Sequence, residues 1–589
     1  MNKSTKTMLG IIACLVIIAG ILIPVTLSSL NGESNSSSSS LSSDTVTAVE
    51  SSSNVQVTYT SSEESGTYTN YNAKINLDNM EVEGSGVSIS GTTIKVTSAG
   101  TYYFSGTAED ANIVVEADKN ADVVLVFENA NITSTKTAVI NGVKAKTITV
   151  NLASESTNTF TDSSTYTVFT EDDEPNATVF SKTDLVINGS GKLIINSNYE
   201  DGIVSKDTLR IVGANIEITA KDDGIRGKDY TAIKNSTITI KSGGDGIKST
   251  NTDDTSLGYV LIEDSTINIT AENDGIQAET VLTMTNSDIN IKTTGDTSKK
   301  DTDGNTISSK GLKAGTEITI NSGNITVNSS DDSIHSNSYV IINGGTITLT
   351  SGDDGIHADN NILINDGTIK ITKSYEGIES SYIKINGGDI SVVASDDGIN
   401  VAGGNDSSSM GRPGANTFSV QSSGRELVIN GGTISVVADG DGLDSNGAIT
   451  INGGDITVFG AVNGGNGALD YDEKCTVNGG SLIVYGANGM WQNPSTDSTQ
   501  YSIAFSNTGS VGDKIELKDS NGNTVASFTA TKAYGMICFS NSSLTKGETY
   551  TLYVNGTAKA SQELTSIVTS NGTSSGSMMN GGGKGQMRK

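Results

Sequence analysis

The stretch Asp353-Asp354-Gly355-Ile356 decides the fold, because the chain returns to it at a nearly fixed interval. It recurs unchanged at 222–225 and 396–399, and shorter variants surround these copies. The carboxylate at its second position stands, in chain order, at Asp201, Asp223, Asp245, Asp274, Asp332, Asp354, Glu376, Asp397 and Asp441. Most successive positions are 21 or 22 residues apart. Repetition at such a period is typical of stacked structural units.

A second motif completes each repeat. Asn343-Gly344-Gly345 precedes a short alternating run, and equivalent asparagines stand at Asn365, Asn386, Asn430 and Asn452. Strands of three to five residues, each ended by Gly or Asn, are typical of a coil in which Ile and Val stack inside. We therefore predict an all-β, right-handed parallel β-helix with turns of ~22 residues, in which Asn343, Asn365 and Asn386 form a side-chain ladder. A β-propeller is disfavoured, since its blades take about 40 residues with tryptophan-rich signatures and this chain has one tryptophan.

The composition divides the chain into six segments. Lys3 and Lys6 precede an apolar run from Met8 to about Leu27, which is long enough to span a bilayer. An anchor and a cleaved signal peptide both stay open, and either predicts export to the cell surface. We predict a membrane anchor or signal peptide at 1–30, a Ser-rich linker at 31–54, an N-terminal β region at 55–181, the parallel β-helix at 182–497, a small C-terminal β module at 498–560 and a disordered tail at 561–589. The module should cover the open end of the coil and contain a hairpin at 517–525.

The charge limits the partners. A formal net charge of −30 argues against nucleic acid and for cations, or for surfaces reached through cations. Apolar content of 34% suits a narrow coil lined by Ile and Val. The three cysteines, Cys14, Cys475 and Cys538, form no spacing pattern for disulfides or zinc. A Cys475–Cys538 bridge stays open, and two reduced thiols are favoured.

Stacked acidic corners predict a cation site. Identical residues on successive turns lie about 4.8 Å apart, and like charges at that distance repel by roughly 3.5 kcal/mol at an effective dielectric constant of 20. Two Ca–O bonds of about 2.4 Å span this gap, whereas Mg²⁺ requires shorter bonds. The predicted Ca²⁺ ligands are Asp201, Asp222, Asp223, Asp245, Asp274, Asp331, Asp332, Asp353, Asp354, Glu376, Asp396, Asp397 and Asp441.

Lys310 breaks the acidic pattern. It stands where the repeat between Asp274 and Asp332 should carry a carboxylate, so its ammonium group is expected to replace the metal there. An alternative to calcium along the whole stripe is ordinary Asp-Gly turn chemistry, with the acidic side chains screened by bulk salt.

Three basic side chains near the acidic corners have simpler interpretations. His335 and His357 are one period apart and are expected to stack on the surface, because two imidazoles without thiolates make a poor zinc site. Arg226 directly follows an acidic corner. A structural salt bridge is expected for it, and the alternative is a catalytic base in a lyase.

Longer motifs resemble a known family. They are the blocks 180–193, 199–207, 222–229 and 244–249, together with 100–106 and 546–552. These blocks resemble the carbohydrate-binding β-helix family of clostridial cell-surface proteins, and the similarity covers roughly residues 55–560. The resemblance implies a pectate-lyase-like fold, bound calcium, and binding of cellulose and polygalacturonic acid without established catalysis.

These observations favour an extracellular carbohydrate-binding protein that acts as a monomer, without catalytic residues. Its calcium ions are expected to bridge to an acidic or plant cell-wall polysaccharide, such as polygalacturonate, with cellulose as a further candidate. Neutral sugars usually need an aromatic platform, and Trp491 is the only indole. The alternatives are a polysaccharide lyase, with Arg226 or a lysine as base, and a purely structural or adhesive surface protein.

Overall fold

The computed structural model describes residues 55–169, 174–300, 306–402 and 424–572. The anchor or signal peptide expected at 1–30 and the linker expected at 31–54 lie outside these residues. Within them, one short helix, α1 at Ser61–Ser65, accompanies a long series of strands. The described part contains no helix with the length and apolar character needed to cross a membrane.

The strands, numbered β1 to β51 in chain order, fall into three groups. Those before the regular repeat are β1 Ala73–Asn76, β2 Glu81–Gly84, β3 Val87–Ser90, β4 Thr93–Val96, β5 Gly100–Glu109, β6 Asn112–Glu116, β7 Asp122–Thr133, β8 Ile140–Lys144, β9 Thr147–Leu152 and β10 Thr157–Thr161. Those of the regular repeat are β11 Ala177–Ser181, β12 Asp184–Asn188, β13 Lys192–Ser197, β14 Asp201–Ser205, β15 Thr208–Val212, β16 Asn215–Ala220, β17 Ile225–Gly227, β18 Tyr230–Lys234, β19 Thr237–Ser242, β20 Ile247–Ser249, β21 Tyr259–Glu263, β22 Thr266–Ala271, β23 Ile276–Ala278, β24 Val281–Thr285, β25 Ser287–Thr293, β26 Leu312–Ala314, β27 Glu317–Ile320, β28 Gly323–Asn328, β29 Ile334–Ser336, β30 Tyr339–Ile342, β31 Thr346–Thr350, β32 Ile356–Ile364, β33 Thr368–Lys373, β34 Ile378–Ile385, β35 Asp389–Ala394, β36 Ile399–Val401, β37 Glu426–Ile429, β38 Thr433–Ala438, β39 Leu443–Ser445, β40 Ala448–Ile451, β41 Asp455–Phe459, β42 Leu469–Tyr471, β43 Lys474–Val477 and β44 Ser481–Gly486. Those at the C-terminal end are β45 Ser502–Gly509, β46 Lys514–Lys518, β47 Thr524–Thr529, β48 Tyr534–Ser540, β49 Thr549–Val554, β50 Thr557–Glu563 and β51 Val568–Ser570.

One turn of the coil consists of three strands on three faces. In the turn made by β16, β17 and β18, the first strand lies on face A, the second on face B and the third on face C. Each pairs in parallel with its equivalent one turn later: β16 with β19, β17 with β20, and β18 with β21. The same pairing continues to β44, with β32 and β34 each spanning faces B and C. The structure is therefore the parallel β-helix that the repeats predict.

The core is a stack of inward-facing aliphatic side chains. On face A, Ile347, Ile369 and Ile390 are paired in register on three successive turns, and each is fully buried. Lys370, the neighbour of Ile369, is exposed, because successive side chains of a strand point to opposite sides. The period-two alternation in the sequence thus places one residue of each pair inside the coil.

The predicted asparagine ladder is confirmed. The Nδ2 group of Asn365 donates to Oδ1 of Asn343 at 2.8 Å, and Asn386 donates to Asn365 at the same distance. The ladder continues through Asn430, Asn452 and Asn478. The second glycine of the motif, as at Gly345 with φ of +97°, takes a backbone conformation that disfavours other residues. The Asn-Gly-Gly corner therefore combines a tight bend with a continuous hydrogen-bonded column.

Coiling begins before the boundary expected at residue 182. Strands β5, β7 and β9 already pair in parallel in this order, although their turns carry neither repeated motif. Phe104 and Phe127 stack with ring centroids 5.1 Å apart inside this part, where Ile and Val fill the later turns. Helix α1 lies against face C, where Glu63 forms an ion pair of 2.9 Å with Arg210.

The C-terminal strands extend the sheet at the last turn. Strand β48 pairs antiparallel with β44 of the coil and with β45. A separate antiparallel sheet has the order β47-β46-β49-β50, and β46 and β47 form the hairpin expected at 517–525. Strand β51 pairs with β45, so regular structure continues past residue 560. Cys475 and Cys538 are both buried and free.

Candidate metal centre

The acidic corners superimpose turn upon turn. We use the name acidic column for the carboxylates at Asp201, Asp223, Asp245, Asp274, Asp332, Asp354, Glu376, Asp397 and Asp441, which lie between faces A and B. In most turns Oδ1 of the acid accepts the backbone N–H of the equivalent residue on the next turn, as in Asp223 to Asp201 at 3.0 Å and Asp354 to Asp332 at 3.0 Å. One oxygen of such a carboxylate therefore accepts a backbone hydrogen bond, and Oδ2 is the oxygen that can contact a counterion or a metal ion.

A second column runs beside the first. Three residues after the corner position of each turn, which is an acid except at Lys310 and Gly467, a face B side chain stands in register with its equivalents on neighbouring turns. We call this the companion column, and it comprises Val204, Arg226, Lys248, Gln277, Lys313, His335, His357, Glu379, Asn400, Asp444 and Asp470. Its charge changes from positive to negative along the coil, and this change divides the acidic column into two parts.

In the N-terminal part, cationic companion side chains form ion pairs with the acids, although burial still raises the pKa of Asp201 and that of Asp245 to about 7. The Lys248 ammonium lies 2.8 Å from Oδ2 of Asp223 on the preceding turn and 3.0 Å from Oδ2 of Asp245 on its own turn. Arg226 forms an ion pair with Asp201, as expected from the sequence. The acids at this end of the coil, including Asp222 beside Asp201 and Asp223, therefore lie next to internal counterions.

The turn that carries Lys310 has the same arrangement. The Lys310 ammonium lies 2.6 Å from Oδ2 of Asp332 and 3.1 Å from Oδ1 of Asp331, so it stands among the carboxylates where the sequence predicted that it would replace a metal. Lys313 lies 2.9 Å from Oδ2 of Asp274. Burial acts to raise the pKa of Asp274, but the charge and hydrogen bond of Lys313 outweigh it, so the pKa is lowered.

Two histidines mark the boundary between the parts. The rings of His335 and His357 stack with centroids 4.9 Å apart and an interplanar angle of 9°, which confirms the predicted stacking. The expected surface position is wrong for His357, which is 3% exposed because carboxylates of its own and the next turn surround it. Nδ1 of His357 lies 3.0 Å from Oε2 of Glu379 and 3.3 Å from Oδ2 of Asp354. Burial acts to lower the pKa of His357, but its bonds to carboxylates outweigh burial and raise it. A protonated His357 is thus the last positive side chain of the companion column.

Beyond His357 the two columns form an acidic block, defined as Glu376, Asp397, Asp441, Asp444 and Asp470. One ligand atom each from Asp397, Asp441 and Asp444 lie within 4.8 Å of one another. Burial, followed by the charges of neighbouring acids, raises the pKa of Asp397 and that of Asp444 to about 8. Among the described residues, no Lys or Arg side chain is a main cause of either shift. The block therefore concentrates negative charge without a counterion from this part of the chain.

Asn400 supplies a neutral oxygen within the block. Its Nδ2 group donates to Oε2 of Glu376 at 2.8 Å, and its residue is 2% exposed. Its Oδ1 atom is buried without a hydrogen-bond partner in the described structure. Since Asn400 stands in register with Glu379 and Asp444, an amide oxygen joins the carboxylates there. Carboxylate and amide oxygens are the donors that Ca²⁺ takes, so the residues of the block fit this ion.

The acids directly before a column acid differ in burial: Asp331 is buried, Asp222 is exposed, and Asp353 and Asp396 are partly exposed. Asp331 and Asp353 have ligand atoms within 4.8 Å of Asp332. Tyr375 donates a hydrogen bond to Asp396, so that acid has a partner outside the column. Sequence reasoning missed Asp444 and Asp470, because neither belongs to a repeated Asp-Gly corner. For Asp444, the position three residues after the column acid Asp441 was the signal that could have found it, whereas Asp470 follows Gly467 and had no such signal.

The fold defines the class of this protein, a parallel β-helix solenoid. A family described as "Carbohydrate-binding domain-containing protein" matches residues 90–355 and 354–398, together just over half of the 589 residues. The chain therefore belongs to this carbohydrate-binding family, which confirms the resemblance seen in the sequence.

Two similar proteins are a curated relative and a solved structure. A carbohydrate-binding domain-containing protein of Acetivibrio thermocellus is 38% identical over 150 residues, which are 25% of this chain and 51% of that protein. The chain thus spans about half the length of this curated relative. A solved structure, described as a polysaccharide lyase-like protein from C. thermocellum in a gadolinium derivative, is 34% identical. The match covers 38% of this chain and 91% of that one, with a TM-score of 0.36.

Proposed function

We propose that this protein binds acidic polysaccharide of the plant cell wall outside the cell, and that calcium in the acidic block supports the binding. Its family supports carbohydrate as the partner. The observation that carries the calcium proposal is the cluster of Asp397, Asp441 and Asp444. Polygalacturonate is the first ligand to test, and cellulose is the second. The apolar run at 8–27 supports export.

The calcium proposal concerns the acidic block rather than the whole column. At about 4.8 Å, two unit charges repel by roughly 3.5 kcal/mol at an effective dielectric constant of 20. Lys248 and Lys313 relieve this repulsion in the N-terminal part, whereas a divalent ion would do so at Asp397, Asp441 and Asp444. When bound there, calcium supplies positive charge to which a uronate carboxylate can bind.

In the described part of the chain, the three acids are partly exposed. Asp397, Asp441 and Asp444 are each half-buried, so a ligand can approach while the carboxylates are held in place by the coil. The base considered for a lyase, Arg226, is engaged in ion pairs with Asp201 and Asp223. An arginine in such contacts stays protonated, and we propose a binding protein rather than an enzyme.

Calcium titration by calorimetry, with and without polygalacturonate, tests this function. The wild-type protein should bind calcium, and calcium should tighten its binding of the polymer. Asp397→Asn combined with Asp441→Asn should abolish both effects, since two of the ligand carboxylates are lost. Asp455→Asn is the matched control, because Asp455 is an exposed acid on face A. Equal calcium binding by the double variant and the wild type would refute the proposal.

A further inference from the structure

A groove on face B carries positive charge although the chain as a whole has a net charge of −30. Its cavity has a volume of about 470 Å³, within the range of roughly 300–1,000 Å³ that is usual for sites of small ligands. The residues that line it are Glu174, Lys182, Val204, Ser205, Lys206, Arg226, Lys228 and Thr250. Four of these side chains are cationic and one is acidic. The groove lies at the opposite end of the companion column from the acidic block.

Three of the cations form a lysine ladder. Ser181 pairs with Ser205, and Ser205 with Gly227, in the parallel register of face B. The residues that follow them, Lys182, Lys206 and Lys228, therefore stand on three consecutive turns, about 4.8 Å apart. The exposed fractions of these side chains are 27%, 39% and 42%, so solvent and ligands reach all three. Such a ladder matches an anionic ligand with several charges in a row.

The groove already holds one carboxylate. Glu174 lies 3.1 Å from the Lys182 ammonium and 2.9 Å from the Lys206 ammonium. Burial acts to raise the pKa of Glu174, but hydrogen bonds from these two lysines outweigh it and lower the pKa. Lys228 has a weaker contact, 3.8 Å from the exposed Asp253. The lysines thus recognise a carboxylate in the folded chain, and their positive charge exceeds what Glu174 neutralises.

Arg226 and Val204 form the inner wall of this groove. The ion pair with Asp201 holds the Arg226 guanidinium, and Val204 is an almost fully buried apolar residue. Because Val204 packs with Ala177 and Phe180, the guanidinium, whose side chain is 22% exposed, is the part of this wall that a ligand can reach, and its charge suits a sugar ring that carries a carboxylate.

We propose that the lysine groove binds the carboxylates of an acidic saccharide directly, without an intervening calcium ion. This inference takes one thing from the proposed function, namely that the ligand is an acidic saccharide. The protein would then hold an acidic polymer at two places, through lysines near the start of the repeat and through calcium in the acidic block.

Binding of trigalacturonate to the full-length protein in chelator tests the groove separately from calcium. The wild-type protein should bind, and Lys206→Ala or Lys228→Ala should weaken binding by roughly 10-fold, because each removes a charge-assisted contact. The methyl ester of the same trisaccharide, which lacks the negative charges, should also bind at least ~10-fold more weakly. Lys241→Ala, an exposed lysine of face A, is the matched control and should bind like the wild type.

A variant that binds more tightly than the wild type would distinguish a loss of contacts from a loss of folding. Glu174→Gln should tighten trigalacturonate binding several-fold, because it removes the carboxylate that competes for Lys182 and Lys206. Three results would each refute saccharide binding in the groove. They are failure of the wild type to bind in chelator, wild-type affinity in both lysine variants, and equal binding of the methyl ester. A different result would refute the calcium function: the protein does not bind added calcium, and calcium does not tighten the binding of the saccharide, whatever the affinity of the lysine variants.

Discussion

Replacing Asp444 with lysine is expected to make the acidic block independent of calcium. In the N-terminal part, Lys248 occupies the same column and contacts the acid of its own turn and the acid of the preceding turn at 3.0 and 2.8 Å. By the same register, a lysine at 444 would lie between Asp441 on its own turn and Asp397 on the preceding turn. The variant therefore tests whether an internal ammonium and a bound calcium ion are alternatives.

The expected magnitude follows from these distances. At about 3 Å and an effective dielectric constant of 20, each new ion pair contributes roughly 5.5 kcal/mol of attraction before desolvation. Charged hydrogen bonds contribute a net 1.5–3 kcal/mol or so. Calcium at 100 times its dissociation constant stabilises the wild-type protein by about 2.7 kcal/mol. Asp444→Lys in chelator should therefore be about as stable as the wild type in calcium.

Scanning calorimetry in calcium and in chelator measures this effect. The wild type should melt at a lower temperature in chelator, whereas Asp444→Lys should melt at the same temperature in both and should bind no calcium in the block. Asp444→Asn is the control, because it removes one charge without adding a cation, so it should keep part of the calcium response. If Asp444→Lys still loses stability in chelator, the reasoning from register is refuted.

Three further predictions concern the ion pairs, the core and catalysis. The pKa of Asp274 is lowered from its ordinary value of 3.8, so its ionised form stabilises the fold above pH 3.8, and this stabilisation is lost as the pH falls further towards the lowered pKa. Lys313→Met should cost about 3–5 kcal/mol at pH 7, since it leaves the charge of Asp274 buried and unpaired. The loss should be much smaller near pH 4, because burial without Lys313 raises the pKa of Asp274 in the variant and allows it to be protonated there. Equal losses in denaturant unfolding at both pH values would contradict this. In the same unfolding assay, Ile369→Ala should cost about 2–5 kcal/mol and Lys370→Ala less than about 0.5 kcal/mol. Similar losses in the two variants would contradict the inward position of Ile369 and the outward position of Lys370. Incubation with polygalacturonate should yield no unsaturated product by ultraviolet absorbance, because Arg226 is engaged by Asp201, and accumulation of that product would establish a lyase.

Most of the coil could be predicted because the sequence patterns that specify it are local and repeat once per turn. The alternation around Ile369 predicts which side chains point inward, and the repeated Asn-Gly-Gly corner predicts the ladder that Asn365 and Asn386 form. The early turns were harder to place. Strands β5 and β7 coil without these motifs, since their aromatic core, with Phe104 on Phe127, satisfies the same geometry with different residues.

The candidate site was predictable in part. Stacked carboxylates follow from the period alone, and the backbone hydrogen bond from Asp354 to Asp332 confirms that the corners superimpose. The counterions did not follow from the period. Lys248 reaches the acid of the preceding turn, a residue 25 positions earlier in the chain, and no local pattern reports such a contact.

The sequence by itself determined the parallel coil, its period and the line of acids along one edge. These properties depend on side chains that alternate within a strand and recur once per turn. Only the tertiary structure decided which acids have a partner, because a counterion lies on a neighbouring turn and its reach depends on the register between turns. The same chain therefore neutralises Asp223 with Lys248, while it gathers Asp397, Asp441 and Asp444 without a cation among the described residues.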